Sequence, residues 1–494
     1  MKKRHFTVES GAMMITTSWR KKETNRPIVL AAIVISTFMS AIEGTIVATA
    51  MPNIVSELGG FSLYSWVFSS YLIMQALSIL IYGKLADLYG RKPVFLFGIT
   101  VFLIGSLLCG LASSMLMLIL FRFIQGLGAG AVTPIANTLV GDLYSIEERG
   151  KVQGYLSSVW GISAVLGPVI GGFFAQYVSW SMIFWMNIPI GLITIVGIVF
   201  FLQEHVEKKE QKIDYIGCCL FFIAILSLMV ILIQAGSHWE WTSIEVISLF
   251  FVSIFFFGLF FYRQSQLKEP LFPLSLWRQR VFMNTNVATF TSGMIMIGVA
   301  SFLPTFVQAV MGETPVVAGL TLTTMSIGWP IASTIAGKLI VKMNYRILSL
   351  AGGGFLLIGS LLFTLLKPEY GPWWAAAASF FVGVGMGLIS TTFIVVIQNI
   401  VSWDMRGFST ANHMFMRLLG SAVGAAVLGG ILNSQIKSYF SSQAQPLDES
   451  VLADISTILL NDFYRYGYHP DFIHLLEEGI AFGLHRLYFC FFII

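Results

Sequence analysis

The stretch GKLADLYGRKP, residues 83–93, lies between two apolar runs that are each long enough to cross a lipid bilayer. Gly83 allows another helix to approach closely, and Gly90 allows a tight turn. Asp87 can face the N-terminus of a neighbouring helix, and Arg91 can pair with a carboxylate. The stretch therefore predicts a charged latch between helices at a membrane surface. The alternative is a basic loop that only orients the chain in the membrane.

The composition argues against a soluble enzyme. Of the 494 residues, 56% are hydrophobic and 11% are charged, whereas soluble domains carry roughly 25% charged residues. The formal net charge is +4, but the basic residues form short clusters between apolar runs and never one continuous face. This pattern argues against a nucleic-acid partner. We therefore expect an all-α, multi-pass protein of the lipid bilayer.

Fourteen apolar segments are candidate membrane spans. They lie at about 28–52, 62–83, 93–112, 115–140, 153–175, 182–202, 214–234, 242–262, 282–310, 316–338, 345–366, 373–398, 408–433 and 479–494. With a cytoplasmic N-terminus, 23 of the 29 Lys and Arg residues fall on the cytoplasmic side, which is the side that basic residues favour. The last segment has only 16 residues, or about 24 Å of helix, and is too short for a full crossing.

The chain also repeats itself. The tripeptide at 83–85 recurs at 337–339, and from the fourth span onward an offset of 257 superimposes six glycines and Arg149 on six glycines and Arg406. Two six-helix halves with an additional central pair of helices follow from this repeat. The predicted divisions are a cytoplasmic N-terminal segment 1–27, an N-terminal half 28–202, a two-helix insert 203–270, and a C-terminal half 271–494 with a long acidic outer loop 434–478. In the second copy Val341 stands where the first has Asp87, so we expect the latch in the N-terminal half only.

Three motifs resemble those of the major facilitator superfamily. Residues 83–93 resemble its G-x-L-a-D-r-x-G-r-k signature, and Asp142 at the end of the fourth span is the candidate partner for Arg91. Residues 122–130, RFIQGLGAG, resemble its R-x-x-q-G-x-g-a motif. Residues 161–172 resemble the g-x-x-x-G-P-x-x-G-G antiporter motif, which is associated with exporters. The antiporter positions are Gly161, Gly167, Pro168, Gly171 and Gly172. Pro168 is expected to bend the fifth span, and the glycines to allow close helix packing there.

A fourth resemblance is more specific. Residues 43–52, EGTIVATAMP, are similar to the D-x-T-I-V-N-V-A-L-P signature of the fourteen-helix drug:proton antiporters, and residues 180–191, which include Asn187, also fit that family. Two positions depart from the signature, since Glu43 replaces Asp and Ala48 replaces Asn. The resemblance implies a proton-coupled exporter of amphipathic drugs or toxic compounds in the cytoplasmic membrane of a bacterium.

Glu43 and Arg122 are the candidate proton-coupling residues. Glu43 is the only acidic residue well inside any predicted span. Arg122 lies about 10 Å below the outer membrane surface, and Glu43 lies at a similar distance from that surface, so the two could meet at one depth. A buried carboxylate beside an arginine is a candidate proton carrier. A static structural ion pair is the alternative.

Four polar residues are candidates for lining a substrate cavity, namely Gln125, Gln308, His413 and Arg417. His413 and Arg417 are four residues apart and so share a helical face. A structural role near the cytoplasmic side is equally open for this pair.

The sequence thus predicts a monomeric efflux antiporter that is driven by the proton gradient, needs no cofactor or metal, and carries small amphipathic substrates, cationic ones among them. An exporter of a dedicated lipid, peptide or siderophore is the alternative. A non-transport membrane subunit would require paired intramembrane histidines or a fused soluble domain, and the sequence has neither. The sequence contains no G-x-x-x-x-G-K-[ST] loop and no H-E-x-x-H, C-x-x-C or G-x-S-x-G motif, which argues against a primary pump and an enzyme.

Overall fold

The computed structural model describes residues 24–59, 63–204, 214–235, 239–267, 270, 272–441 and 470–493. Helix dominates these residues, which confirms the predicted all-α class. Residues 442–469 of the long outer loop, where the sequence predicts a short amphipathic helix near 451–464, lie outside the described residues. Two acidic residues of that loop, Glu477 and Glu478, lie in the last described helix, Pro470–Ile493.

The described residues up to Phe201 form seven α-helices. They are α1 (Arg26–Leu58), α2 (Tyr64–Tyr89), α3 (Arg91–Gly110), α4 (Met115–Leu143), α5 (Ile146–Tyr177), the single turn α6 (Met182–Trp185) and α7 (Asn187–Phe201). Polar side chains cap the N-termini of several of these helices. Asn25 accepts from the backbone N–H of Ile28 at α1, and Ser145 and Glu148 form a capping box at α5. Gly90 ends α2 with a φ of 96°, a conformation that glycine adopts without strain, so α3 begins at the next residue.

The rest of the described chain forms nine helices. They are α8 (Tyr215–Gln234), α9 (Ile244–Gln266), the single turn α10 (Leu274–Trp277), α11 (Arg280–Thr305), α12 (Pro315–Leu339), α13 (Tyr345–Thr364), α14 (Gly371–Ile400), α15 (Arg406–Ser441) and α16 (Pro470–Ile493). A π-helical turn, Phe306–Val310, extends α11.

Thirteen helices of the described part are long and apolar enough to cross a membrane. The fourteenth predicted span corresponds to α16, which is not among the thirteen and carries charged residues such as Arg486. The start of the last predicted span, residue 479, lies within α16, which begins at Pro470 and has 24 residues, or about 36 Å of helix. That the apolar part of this last span is short stays a prediction. Large apolar side chains such as Phe251 and Leu350 are exposed on the outside of the bundle, at 67% and 76%, as lipid contact requires.

The same pairs of helices pack together in the two copies of the repeat. Helices α1 and α5, α2 and α4, and α3 and α4 pack in the first group, α1–α7. Helices α11 and α15, α12 and α14, and α13 and α14 pack in the second group, α11–α16. In the inserted pair, α8 and α9 pack on each other, and α8 contacts α2 and α15. These matching contacts agree with the internal repeat, while the predicted domain boundaries stay predictions.

The two groups meet through α5 and α12, and through α2 and α15. Gly150 of α5 and Gly337 of α12 lie so close that a Cβ on either would overlap the backbone of the other. We call the end of the bundle that carries the α2–α3 turn the Gly90 end. This contact lies toward the Gly90 end, because Gly150 is near the first residue of α5 and Gly337 is near the last residue of α12. The two groups are therefore closely packed at the Gly90 end.

Candidate functional site

The structure brings Glu43 and Arg122 together. Nη1 of Arg122 on α4 lies 2.5 Å from Oε1 of Glu43 on α1, and both side chains are buried. Nε of Arg122 also donates to the carbonyl of Val67 on α2, and the guanidinium lies over the ring of Tyr71 at 4.3 Å. The pair is therefore enclosed by α1, α2 and α4 within the first helix group.

Three further polar side chains complete this buried network. Nδ2 of Asn187 at the start of α7 donates to Oε2 of Glu43 at 3.0 Å. Oε1 of Gln125 accepts from Arg122 at 2.7 Å, and Nε2 of Gln125 donates to Oγ of Ser106 at 3.1 Å. Both carboxylate oxygens of Glu43 thus have a donor. Sequence reasoning assigns no role to Asn187 or Ser106, although Asn187 belongs to a stretch that fits the antiporter family.

Gln125 does not occupy the position predicted for it. The sequence places it among the residues of a substrate cavity, but its side chain is wholly buried between Arg122 and Ser106. Its neighbour Gly126 lies against the backbone of Tyr71, and a Cβ atom on residue 126 would overlap that backbone. The missing side chain lets α2 and α4 approach, and this brings α2 within reach of Arg122.

Two antiporter-motif glycines pack on the segment of α1 that follows Glu43. A Cβ at Gly167 would meet the side chain of Thr45, and one at Gly171 would lie 2.8 Å from the carbonyl oxygen of Ile46. Oγ1 of Thr45 donates to the carbonyl of Ser163 on α5 at 3.3 Å. This seam connects the helix that carries Glu43 directly to α5.

The other motif positions lie in different surroundings. Gly161 faces α12, where a Cβ would lie 2.9 Å from the carbonyl oxygen of Ser326. A Cβ at Gly172 would make only an ordinary contact, 3.8 Å from the methyl group of Thr49. Pro168 lies within α5, and its side chain is outside the described part of the chain. The predicted bend at Pro168 stays a prediction.

A second charged cluster lies at the Gly90 end. Nε of Arg91 is 2.9 Å from Oδ2 of Asp142, and Nη2 of Arg91 is 3.0 Å from Oδ1 of Asp87. Gly83 faces α15, where a Cβ would overlap the side chain of Ala411. The structure therefore brings the predicted latch residues together, and Asp142 is next to Arg91 as expected.

The latch also has partners in the second helix group. The sequence predicts a helix N-terminus beside Asp87 but does not identify the helix, and it does not predict the contacts with Trp403 and Arg406. Asp87 accepts hydrogen bonds from the backbone N–H groups of Gly407 and Phe408 at 2.8 and 2.7 Å, at the N-terminus of α15. Arg406 donates to Oδ1 of Asp142 at 2.6 Å. Arg91 donates to the carbonyl of Trp403 at 2.6 Å, and its guanidinium stacks on that ring. We call this set of contacts the clamp, because it joins the two groups.

Two more polar contacts support the clamp. Nε2 of Gln398 donates to the carbonyl of Asn137 at 3.0 Å, and Nη1 of Arg149 donates to Oδ1 of Asn399 at 2.6 Å. Deeper in the bundle, Ser157 of α5 donates to Ser333 of α12 at 3.1 Å. The two groups are thus held together at the Gly90 end.

The remaining candidates lie in the second group. His413 is buried and its Nδ1 is 3.1 Å from Oγ1 of Thr289 on α11. Arg417 is partly exposed and donates to Oγ of Ser390 on α14 at 3.3 Å. Gln308 lies partly exposed in the π-helical turn that follows α11. The structure does not bring these three residues to the Glu43–Arg122 pair.

Asp214 anchors the inserted helix pair. Its carboxylate caps α8 by accepting from the N–H of Gly217, and it also accepts from Arg263 and Gln264 of α9. Burial opposes ionisation, but these hydrogen bonds outweigh it and lower the pKa of Asp214. In the described residues, no group of three or more His, Cys, Asp or Glu residues could hold a metal ion.

Comparisons with known proteins agree with this geometry. Residues 33–425 match the family model of the Major Facilitator Superfamily. Multidrug resistance protein 3 of Bacillus subtilis (strain 168) is 38% identical over 410 residues, which cover 83% of this chain and 80% of that protein. Multidrug transporter protein MdtP of the same organism is 32% identical over 436 residues, which cover 88% of this chain and 81% of that protein.

Solved structures show the same fold at low sequence identity. The human organic anion transporter MFSD10 has a TM-score of 0.60 at 13% identity, covering 95% of this chain and 100% of that one. The proton:xylose symporter XylE has a TM-score of 0.57 at 10% identity, and the match covers 94% of this chain and 95% of that one. The motifs, the paired helix groups and these matches lead to one conclusion: the chain belongs to the Major Facilitator Superfamily of membrane transporters.

Proposed function

We propose that this chain is a proton-coupled antiporter that exports small amphipathic drugs or toxic compounds. The single observation that carries the proposal is Glu43, an acidic residue that is wholly buried well inside a candidate span and paired with Arg122. Two relatives at 38% and 32% identity are named as multidrug proteins, which supports the substrate class. The superfamily membership itself supports a transporter.

Glu43 is proposed as the site at which the proton is bound and released. A buried carboxylate is tolerated when it is either protonated or neutralised by a cation. When a proton binds to an oxygen of Glu43, the carboxyl becomes neutral, and its attraction for Arg122 falls. The Nη1 group of Arg122 then keeps Gln125 as a partner. Binding and release of one proton therefore switches the contact between α1 and α4.

The α1–α5 seam can carry this switch to the second helix group. The glycines Gly167 and Gly171 pack within one turn of Glu43 along α1, and α5 in turn packs on α12. A shift of α1 therefore acts on α5, which is one of the helices that join the two groups. Such rigid-body motion of one group against the other is the basis of alternating access.

The clamp is proposed as the gate on the cytoplasmic side. The excess of Lys and Arg supports a cytoplasmic location for the Gly90 end and the N-terminus, and we propose that the chain lies in the cytoplasmic membrane of a bacterium. The clamp is formed in the conformation described, so the proposed gate is closed in it. Opening it requires the bonds from Asp87 to α15 and from Asp142 to Arg406 to break.

The transporter is proposed to act as a monomer, without a cofactor, using the proton gradient alone. Export of one dedicated lipid, peptide or siderophore is the second candidate function, because the same coupling and gate would serve it. A panel of substrates distinguishes the two, since a drug exporter accepts several scaffolds and a dedicated exporter accepts one.

Transport in proteoliposomes tests the proposal. The purified chain is reconstituted, a pH gradient is imposed, and the uptake of cationic, neutral and anionic amphipathic dyes is followed. We expect several dyes to accumulate against their gradient and an ionophore that dissipates the pH gradient to abolish this. Movement of the dyes only down their own gradients, unaffected by the ionophore, would rule out proton coupling.

A further inference from the structure

Arg417 lies in the middle of the second helix group. It is eleven residues from Arg406 at the start of α15, which places it about 16 Å along that helix. Ser390, its hydrogen-bond partner, is ten residues before the end of α14, at about 15 Å from Ile400. Both residues are therefore at one depth, well away from the Gly90 end.

No acidic residue neutralises Arg417 in the part of the chain that the structure describes. The ion pairs there include those of Arg91, Arg122, Arg263 and Arg406, but none of Arg417. The partner of its guanidinium is the neutral hydroxyl of Ser390, which accepts one of five N–H bonds. Arg417 therefore differs from Arg122, which has Glu43 at the same kind of depth in the first group.

The unused donors of Arg417 are open to solvent-sized molecules. Its guanidinium nitrogens are absent from the buried polar atoms that lack a partner, so those without a bond are not sealed in the protein. The side chain hydrogen-bonds to α14, which is the most buried of the thirteen candidate spans. Because exposure of a guanidinium to lipid would be strongly unfavourable, we infer that the open donors face a space between the helices.

The titratable group nearest to Arg417 on α15 is His413, one turn away on the same helical face. His413 is buried, and its Nδ1 is 3.1 Å from Oγ1 of Thr289. In the first group, Glu43 already has Arg122 and Asn187 as partners. A cationic substrate would have to break that pair, whereas an anionic substrate finds Arg417 without a competing carboxylate.

We propose that Arg417 binds an acidic group, such as a carboxylate or sulfonate, on the amphipathic substrate. The planar guanidinium can donate two parallel hydrogen bonds to such a group. The inference rests on the proposed function and deepens it, because it assigns the charge class of the substrate. It differs from the expectation, drawn from sequence, that cationic compounds are among the substrates.

A binding assay without any pH gradient tests the inference separately from proton coupling. Three probes share one fluorescent hydrophobic scaffold and carry a sulfonate, a neutral amide or a quaternary ammonium. They are titrated into the purified full chain in zwitterionic lipid nanodiscs. We expect the sulfonate probe to bind about tenfold or more tighter than the amide probe, as one charge-assisted hydrogen-bond contact provides.

The variants Arg417→Gln and Arg417→Lys then test the residue. The Gln variant should lose the preference for the sulfonate, and the Lys variant should retain part of it, because it keeps the charge without the paired donors. The matched control is Arg486→Gln, since Arg486 is an exposed arginine on α16. If Arg417→Gln does not fold, Ser390→Asp places a carboxylate beside an intact Arg417 and should abolish the preference in the same way.

The outcomes separate the two proposals. A wild-type chain without a preference for the sulfonate, or a folded Arg417→Gln variant that keeps it, would overturn the inference and leave proton-coupled export standing. If the binding assay shows a preference for the sulfonate that depends on Arg417, and the transport assay shows no uptake driven by a pH gradient, the inference is supported and proton coupling is overturned. Adding anionic lipid to the nanodiscs identifies the source of the acidic group: competition with the sulfonate probe would show that Arg417 also binds a lipid headgroup.

Discussion

Asp87→Asn should shift the transporter toward a conformation that is open at the Gly90 end. Asp87 accepts two backbone N–H bonds from the N-terminus of α15, at 2.8 and 2.7 Å, and these bonds must break when the clamp opens. Its ion pair with Arg91 lies within one helix group and need not break. The mutation therefore acts on the two bonds between the groups.

The size of the shift follows from the loss of charge. Hydrogen bonds to a charged group contribute about 1.5–3 kcal/mol, and a carboxylate at a helix N-terminus adds roughly 0.3–1 kcal/mol. Asparagine keeps one neutral acceptor, so we expect a loss of about 3 kcal/mol from the closed state. That is a change of about 100-fold in the ratio of closed to open molecules.

Distances between spin labels measure this ratio. Labels at Lys151 on α5 and Lys342 after α12, both exposed near the Gly90 end, report its opening in a background without native cysteines. Asp87→Asn should move the distribution to longer distances and abolish turnover while substrate binding stays nearly intact. The control is Glu147→Gln, an exposed carboxylate at the same end. An unchanged distribution, or a loss of affinity equal to the loss of flux, would refute the gating role.

Three further predictions concern the seam, the proton site and the clamp. Gly167→Leu should block export more than it lowers thermal stability, because the new side chain meets Thr45; a collapse of stability without assembled protein would point to packing alone. Glu43→Asp should keep partial export with a shifted pH optimum, since the shorter side chain changes the distance to Arg122; a pH–rate profile identical to wild type would contradict this. Arg406→Gln removes the 2.6 Å contact with Asp142 and should raise the accessibility of a cysteine label at the Gly90 end several-fold; unaltered labelling would contradict the clamp.

The helical class and the residues of both charged clusters were predictable from sequence. The spans followed from hydropathy, and the motifs identified Glu43, Arg122, Asp87 and Arg91. The depth estimate from helix rise also placed Glu43 near Arg122, and the structure shows that pair. These predictions succeeded because they depend on local patterns or on simple helix geometry.

The features that the sequence did not predict depend on contacts between distant parts of the chain. Gln125 follows Arg122 by three residues, and periodicity alone cannot tell a cavity-facing side chain from one buried against α3. The contacts of Asp87 with α15 join residues 320 positions apart, so no local pattern reports them. The start of α16 was missed because Asp471, Glu477 and Glu478 interrupt the apolar residues of 470–478 and weaken the hydropathy signal. In each case tertiary packing decided the outcome.

The most direct test of the central claim is the transport behaviour of Glu43→Gln in proteoliposomes, compared with Glu245→Gln, which alters an exposed carboxylate on α9. The glutamine side chain in the Glu43→Gln variant mimics the protonated carboxyl, so exchange of labelled for unlabelled substrate at equal pH should persist while pH-driven uphill accumulation is lost. Glu245→Gln should retain both activities. A Glu43→Gln variant that still builds a wild-type substrate gradient from the pH difference would contradict the account, because the coupling proton would then be carried by another group.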